Sequence, residues 1–323
     1  LELRYLGNRD PNLPMVLLTD LPDADQDALP GDAPLVERAA GRIRELNVQY
    51  AADGQTAFHL LHRPRRWNPR QRCWMGHERK RGKIEDFNRL VLTGATEPFT
   101  RIEGDPAALR DVHYGIVLDA DTQLPPRAAW RMIAALAHPL NRPHVDPAHR
   151  CVTRGYGILQ PRLGVSLPQS QSSRFAALFA GDVGLDPYSR EVSNVYQDLF
   201  GQGQFVGKGI YDIRAFDATV SARFPDNRIL SHDLIEGCHA RCGFLGDVEL
   251  LEDHPTRYLA DVARRRRWAR GDWQIARWLL RRVPGPDSAR QSNPLGGLAR
   301  WMILDNLRRT LVPWALLTVL LLG

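Results

Sequence analysis

The sequence predicts an α/β fold built on a mainly parallel sheet flanked by helices, and three observations carry that expectation. Short apolar runs of strand length alternate with longer stretches of helical period. Apolar residues make up 43% and charged residues 25% of the 323 positions, a globular balance with ample chain to bury a core. Two of the apolar runs close on aspartates, at Asp20 and at Asp119 with Asp121. Open α/β sheets gather their ligand contacts at the C-terminal ends of strands.

Along the chain, 1–6 reads as a strand and 15–19 as a buried strand ending at Asp20. A surface helix follows over 34–47, a strand over 58–62, and a helix over 84–92 preceded by a basic loop. Residues 114–118 form the strand that leads to the acid pair, and 127–137 the next helix. The segment 151–217 is richer in Gly, Gln and Ser; it yields one strand, 158–161, and a glycine-rich run over 201–212. Residues 229–242 read as a loop leading into a helix, and 258–278 as a basic, tryptophan-rich helix. A Pro/Gly/Ser linker covers 283–298, and 297–309 has the pattern of an amphipathic interfacial helix. From 310 to 323 the chain is free of charge, directly after Arg308 and Arg309. That run is shorter than the roughly 20 residues needed to cross a bilayer. It reads as the start of a transmembrane helix cut by the end of the chain, the alternative being an apolar core helix. Arginines ahead of it would set the preceding domain on the cytoplasmic side. The organisation expected is therefore a core over 1–282, a linker and interfacial helix over 283–309, and the start of a span over 310–323, with no repeat and no boundary inside the core.

The net charge of +6 suits an anionic lipid surface or an anionic substrate. Basic and aromatic residues are not interleaved as in nucleic-acid modules, so nucleic acid is not an expected partner. The four cysteines, Cys73, Cys151, Cys238 and Cys242, make no disulfide framework in a chain this long. Cys238 and Cys242 have a C-x3-C spacing without a second ligand pair and read as reduced thiols.

Asp119 and Asp121 carry the most specific chemistry. On a continuing strand, residues i and i+2 share a side, so both carboxylates could face one hard divalent cation, Mg²⁺ or Mn²⁺. Such an ion takes its remaining ligands from water and phosphate oxygens, as a nucleotide-sugar site requires. Taken alone, Asp-x-Asp is equally the mark of a solvated strand-end turn. Four features join it. Asp20 lies at a strand end. Residues 78–88 place Lys83 and other cations ahead of a helix, suited to a diphosphate or simply an exposed basic loop. Asp233 stands near a helix start, where a capping role is the common explanation. Arg264 to Arg267 precede Trp268, which joins guanidinium forks for phosphate to a flat indole face for a sugar.

In order, Asp20, the Asp119–Asp121 pair, Asp233 and Arg267-Trp268 resemble the D, DxD, D, QxxRW pattern of processive membrane glycosyltransferases such as cellulose and hyaluronan synthases. The segments 1–20, 203–212 and 230–237 narrow the resemblance to the glycosyltransferase region of cyclic β-1,2-glucan synthases, over nearly the whole chain. The resemblance implies a GT-A-like (Rossmann-like) sheet whose first strand lies upstream of Leu1. It implies an inverting, metal-dependent glucosyltransferase that moves glucose from a UDP-glucose donor to a growing glucan acceptor at the bacterial inner membrane, with the catalytic domain facing the cytoplasm. Further modules of the same polypeptide would cleave and cyclise the product. By the same resemblance Asp20 contacts the nucleoside, Lys83, Arg264 and Arg267 the diphosphate, and Asp119 the nucleotide and metal. Asp121 holds the metal, Trp268 stacks on the acceptor, and Asp233 is the general base. Two departures stand out: Arg264 replaces the usual Gln, and His232 replaces the usual glutamate before the base, which leaves the orientation of Asp233 open. A literal QxxRW string at 274–278 is set aside in favour of Trp268, and the part played by 203–209, donor contact or tight turn, stays open. A synthase of another β-linked polymer, or a catalytically silent domain that binds glucan or nucleotide, are the other readings.

Overall fold

The computed structural model describes residues 1–50, 56–166, 172–179, 194–229, 231–286 and 289–323. These form two compact units, Leu1–His113 and Tyr114–Gly323, with the division falling inside the expected core.

The first unit opens with helix α1 (Glu2–Gly7), where a strand was expected. The alternation of Leu1, Leu3 and Tyr5 mimics a strand, but only Tyr5 is buried, packed on Phe58 with ring centroids 4.8 Å apart. Strand β1 (Met15–Asp20) pairs in parallel with β2 (Phe58–Arg63) after helix α2 (Asp32–Tyr50) crosses over between them. Ala40, Ile43 and Leu46, spaced three apart on α2, bury one face against Met15, Phe58 and Leu60. A small hairpin of β3 (Arg66–Asn68) and β4 (Cys73–Met75) leads into helix α3 (Arg79–Thr93). Strand β5 (Arg101–Glu103) closes the sheet antiparallel to β2.

The second unit contains β6 (Tyr114–Val117), helix α4 (Ala128–Ala137), the hairpin β7 (His144–Asp146) and β8 (Cys151–Arg154), and β9 (Ile158–Val165). Short helices α5 (Arg174–Phe179) and α6 (Val195–Phe200) follow. Then come β10 (Gly209–Asp212), α7 (Ile213–Val220), α8 (Asp233–Ala240), β11 (Cys242–Glu252) and α9 (Tyr258–Ile275). The sheet order is β11-β9-β10-β6, and α4 lies across β11, β9 and β10 with Ala129 and Met132 fully buried. Only β11 and β9 run parallel; β10 is antiparallel to both β9 and β6.

The expected mainly parallel sheet is thus corrected to two mixed sheets. Strand β10, in the glycine-rich run, is the antiparallel member, and it ends directly on α7, capped by the Asp212 carboxylate at the Ala215 N–H.

The expected linker holds a hairpin of β12 (Arg282–Pro284) and β13 (Arg290–Ser292); 287 and 288 lie outside the described residues. The interfacial helix and the apolar run are one helix, α10 (Gly297–Leu322), with Pro313 inside it. Met302, Ile303 and Leu307 are buried in its first half, whereas 311–323 are exposed. Asp305, Arg308 and Arg309 lie within α10, and among the described residues no helix is long and apolar enough to cross a membrane.

Candidate functional site

In the first unit, register places Asp20 opposite Arg63 at the ends of β1 and β2. Arg63 donates to both Asp20 oxygens, Nε to Oδ1 at 2.9 Å and an η nitrogen to Oδ2 at 2.9 Å, and its other η nitrogen reaches Asp86 at 2.8 Å. Such a bidentate pair fixes both the position and the plane of the carboxylate. Gly76 closes over it; a Cβ there would lie 2.3 Å from Asp20 Oδ2. The Lys83 ammonium stands 3.9 Å from the same oxygen, so the structure brings Asp20 and Lys83 together. Lys83 belongs to α3, not to a loop: the helix starts at Arg79 and takes in the basic run.

In the second unit the acid pair sits differently from its strand expectation. Strand β6 ends at Val117, and Asp119 to Thr122 form a turn. Thr122 N–H donates to the Asp119 carbonyl at 3.2 Å, and the Thr122 hydroxyl lies 3.3 Å from Asp119 N–H. Gln123 and Leu251 exchange backbone hydrogen bonds, tying this turn to the end of β11. Asp119 is half-buried and Asp121 exposed, so strand alternation no longer sets their common side. The donor set remains that of a hard cation: two carboxylates in one turn, all oxygen, one open to water and phosphate. It fits Mg²⁺ or Mn²⁺.

Lys208, just ahead of β10, reaches Asp119 Oδ2 at 3.3 Å and also pairs with Glu252 at the end of β11. Burial alone would lower the ammonium's pKa, but the Glu252 and Asp119 carboxylates outweigh that and hold it above the usual lysine range. Its neighbour Gly207, at φ +90°, lies against Asp233: a Cβ there would fall 2.7 Å from Oδ1 and 2.9 Å from Oδ2. Consecutive residues of one loop therefore back the two carboxylates to which the motifs assign donor and base roles. The same loop meets α8 again at Phe205, whose Cβ would lie 2.7 Å from a Cβ on Gly237.

Asp233 is the first residue of α8; Leu230, which begins its motif, lies outside the described residues. Its neighbour His232 is buried, with Nδ1 3.6 Å from Asp233 Oδ1 and 2.9 Å from Glu236 Oε1. The three groups offer ligand atoms within 4.8 Å of one another.

Helix α9 carries the Arg-Trp motif. Gly271 lets it press on the residue before His232, since a Cβ there would meet Ser231 Cβ at 2.2 Å. Buried Asp261 accepts from Arg264 at 2.9 Å and from Arg265 at 2.6 Å. Held in this way, the Arg264 guanidinium lies over the Trp268 ring, 4.7 Å from its centroid. Arg264 is thus directed to Asp261 and the indole. Arg267 is exposed, and Trp268 is half-buried. Trp278 of the literal QxxRW string is 2% exposed and packs edge-on against Phe224, in the core.

Sequence reasoning assigned no role to Lys208, Glu252, Gly207, Glu236 or Gly271. Lysine occurs at only three positions, Lys80, Lys83 and Lys208, in a chain rich in arginine. A lone lysine between two glycines was the available signal. Glu236 lies in the 230–237 segment but without an assigned role, and Gly271 has no signal, because spacing does not show what a helix faces.

No family model matches the chain. A curated protein does: cyclic β-(1,2)-glucan synthase NdvB of Rhizobium meliloti (strain 1021), at 41% identity over 324 residues. The alignment covers 100% of this chain and 11% of that protein. Over its whole length, then, the chain is similar to one segment of a much longer cyclic β-1,2-glucan synthase, as the ordered motifs led us to expect.

Proposed function

We propose that the chain is the sugar-transferring part of a cyclic β-1,2-glucan synthase, an inverting glucosyltransferase that moves glucose from UDP-glucose to a growing glucan. The observation that carries this reading is the Gly207–Lys208 pair, which backs the Asp233 and Asp119 carboxylates from adjacent positions. The likeness of the whole chain to a segment of NdvB supports the product class.

In this reading Asp233 takes the proton of the acceptor hydroxyl. The acceptor oxygen attacks the anomeric carbon from the face opposite the diphosphate. The carbon–oxygen bond to UDP breaks, UDP keeps the electron pair, and an α-linked donor becomes a β-linkage. Asp121, with Asp119, would hold Mg²⁺ or Mn²⁺; when bound, the ion steadies the diphosphate and its departing charge. Lys208 keeps the Asp119 carboxylate in place, and Arg267 offers an exposed guanidinium to phosphate oxygens. Trp268 keeps one face for Arg264 and offers the other to the acceptor sugar. Asp20 and Lys83 take the nucleoside and diphosphate roles within the first unit. The exposed apolar end of α10, with Trp314 and Leu320, is proposed to meet a membrane. Further modules of the longer polypeptide would complete the cyclic product.

The test compares the full-length wild type with Asp233→Asn, given UDP-glucose and a divalent metal. UDP release and a β-1,2-linked product from the wild type are expected, with turnover reduced about 10²–10⁴-fold in a variant that still folds. Equal turnover by the two would make Asp233 a helix-start residue only.

A further inference from the structure

We propose that His232 and Glu236 form a positioning pair for Asp233: the buried Glu236 carboxylate holds the His232 ring, and the ring orients the base. This rests on the reading of Asp233 as the base. Glu236 stands one turn along α8 from His232.

Glu236 is 1% exposed, and among the described residues neither of its oxygens has a hydrogen-bond partner that meets geometric criteria. Its close polar contact is His232 Nδ1, at 2.9 Å from Oε1. A buried carboxylate without compensation costs several kcal/mol, so it persists beside a cation or a strong donor. Two carboxylates, Asp233 and Glu236, face the same ring nitrogen.

The surroundings hold the pair rigidly. Gly207 packs on the Asp233 carboxylate, Gly237 lets the loop at Phe205 close on the same helix, and Gly271 of α9 packs on Ser231. A base backed by Gly207 on a helix packed at Gly237 and next to Ser231 at Gly271, with a buried acid beside its ring partner, is preorganised before an acceptor arrives.

The experiment uses the full-length protein with Glu236→Gln and His232→Gln, each alone and in the Asp233→Asn background. UDP release is measured as a function of UDP-glucose, and the Glu236→Gln structure is determined after a Mn²⁺ soak. We expect kcat to fall about 10-fold or more in each single variant, with KM for UDP-glucose within about twofold of wild type. In the Asp233→Asn background the same substitutions should cost nothing further, because they act through that carboxylate. Unchanged kcat, or full additivity with Asp233→Asn, overturns the proposal. If the wild type releases no UDP, the functional reading fails, and the structure decides the positioning claim. A displaced Asp233 carboxylate in Glu236→Gln upholds it. An unmoved carboxylate overturns it, as does Mn²⁺ bound by His232, Asp233 and the residue at 236.

Discussion

Asp233 is defined as much by the absence of a side chain at 207 as by its own carboxylate. At φ +90° Gly207 occupies backbone space that other residues enter at a cost of about 1–3 kcal/mol. A methyl group there would also sit 2.7 Å from Asp233 Oδ1, inside van der Waals contact. Gly207→Ala is therefore expected to push the Asp233 carboxylate aside and, if Asp233 is the base as proposed, to lower kcat by more than its loss of stability explains. Turnover and the urea midpoint, measured on the same preparation, separate the two. A loss of turnover with no change in midpoint would assign the loop to positioning, and a loss of both in proportion would make it a turn. The residue types in the Asp119–Asp121 and Asp233 motifs were legible in the sequence, but what holds them was not. Asp-x-Asp was read as strand alternation, while the strand stops at Val117 and a turn sets the two carboxylates apart in exposure. Lys208 stood between two glycines in a segment that spacing alone did not assign, and only the fold shows it between Asp119 and Glu252.

At the scale of elements, long segments with a clear period were readable: α2, α3, α4 and α9, and the strands β1, β2 and β6, lie where the apolar pattern put them. The failures have local causes. Strand β11 is interrupted by an irregularity between Leu245 and Glu249, so its pairing with β9 changes register midway and no single alternation spans it. At the N-terminus the period-2 pattern gives a helix, since Leu3 is 84% exposed and only Tyr5 reaches the core. Helix packing around Asp233 depends on glycines whose purpose is equally invisible in sequence. Gly271 admits Ser231 to the surface of α9, and a Cβ 2.2 Å from Ser231 Cβ cannot be accommodated without moving one element. Gly271→Ala is expected to destabilise the protein by about 1–3 kcal/mol. Gly41→Ala in α2 is the control: its nearest neighbour would be an arginine η nitrogen at 3.8 Å, and alanine is the better helix former. Urea unfolding should show opposite signs for the two, and equal effects would refute the packing argument.

For the molecule as a whole, buried histidines set the response to acid. The His239 ring is fully buried on α8, tilted against Phe224 at 5.6 Å between ring centroids, with Nδ1 3.2 Å from Cys151 Sγ. Burial first, and then the charges of Arg223 and Arg150, hold its pKa well below the ordinary 6.5. In the first unit, burial moves His59 and His62 in the same direction. The unfolded chain binds a proton at each of these rings as the pH drops through 6.5, whereas the folded protein resists. Their contribution is thus complete above that pH and is lost as the pH falls toward the depressed folded values. Each fully discriminating ring adds up to about 1.4 kcal/mol per pH unit to the slope. Urea unfolding at pH 7.5, 6.5 and 5.5 should therefore show stability declining on the acid side, and His239→Gln should flatten that decline while costing stability at pH 7.5. The direction separates two sources of acid sensitivity. Surface carboxylates such as Asp146, held below the usual range by His149, give up their contribution only at much lower pH. A decline confined to that lower range, unchanged by His239→Gln, would mean that the ring at 239 takes up its proton inside the fold without penalty, and that the packing around Cys151 and Phe224 is looser than the 3.2 Å and 5.6 Å contacts require.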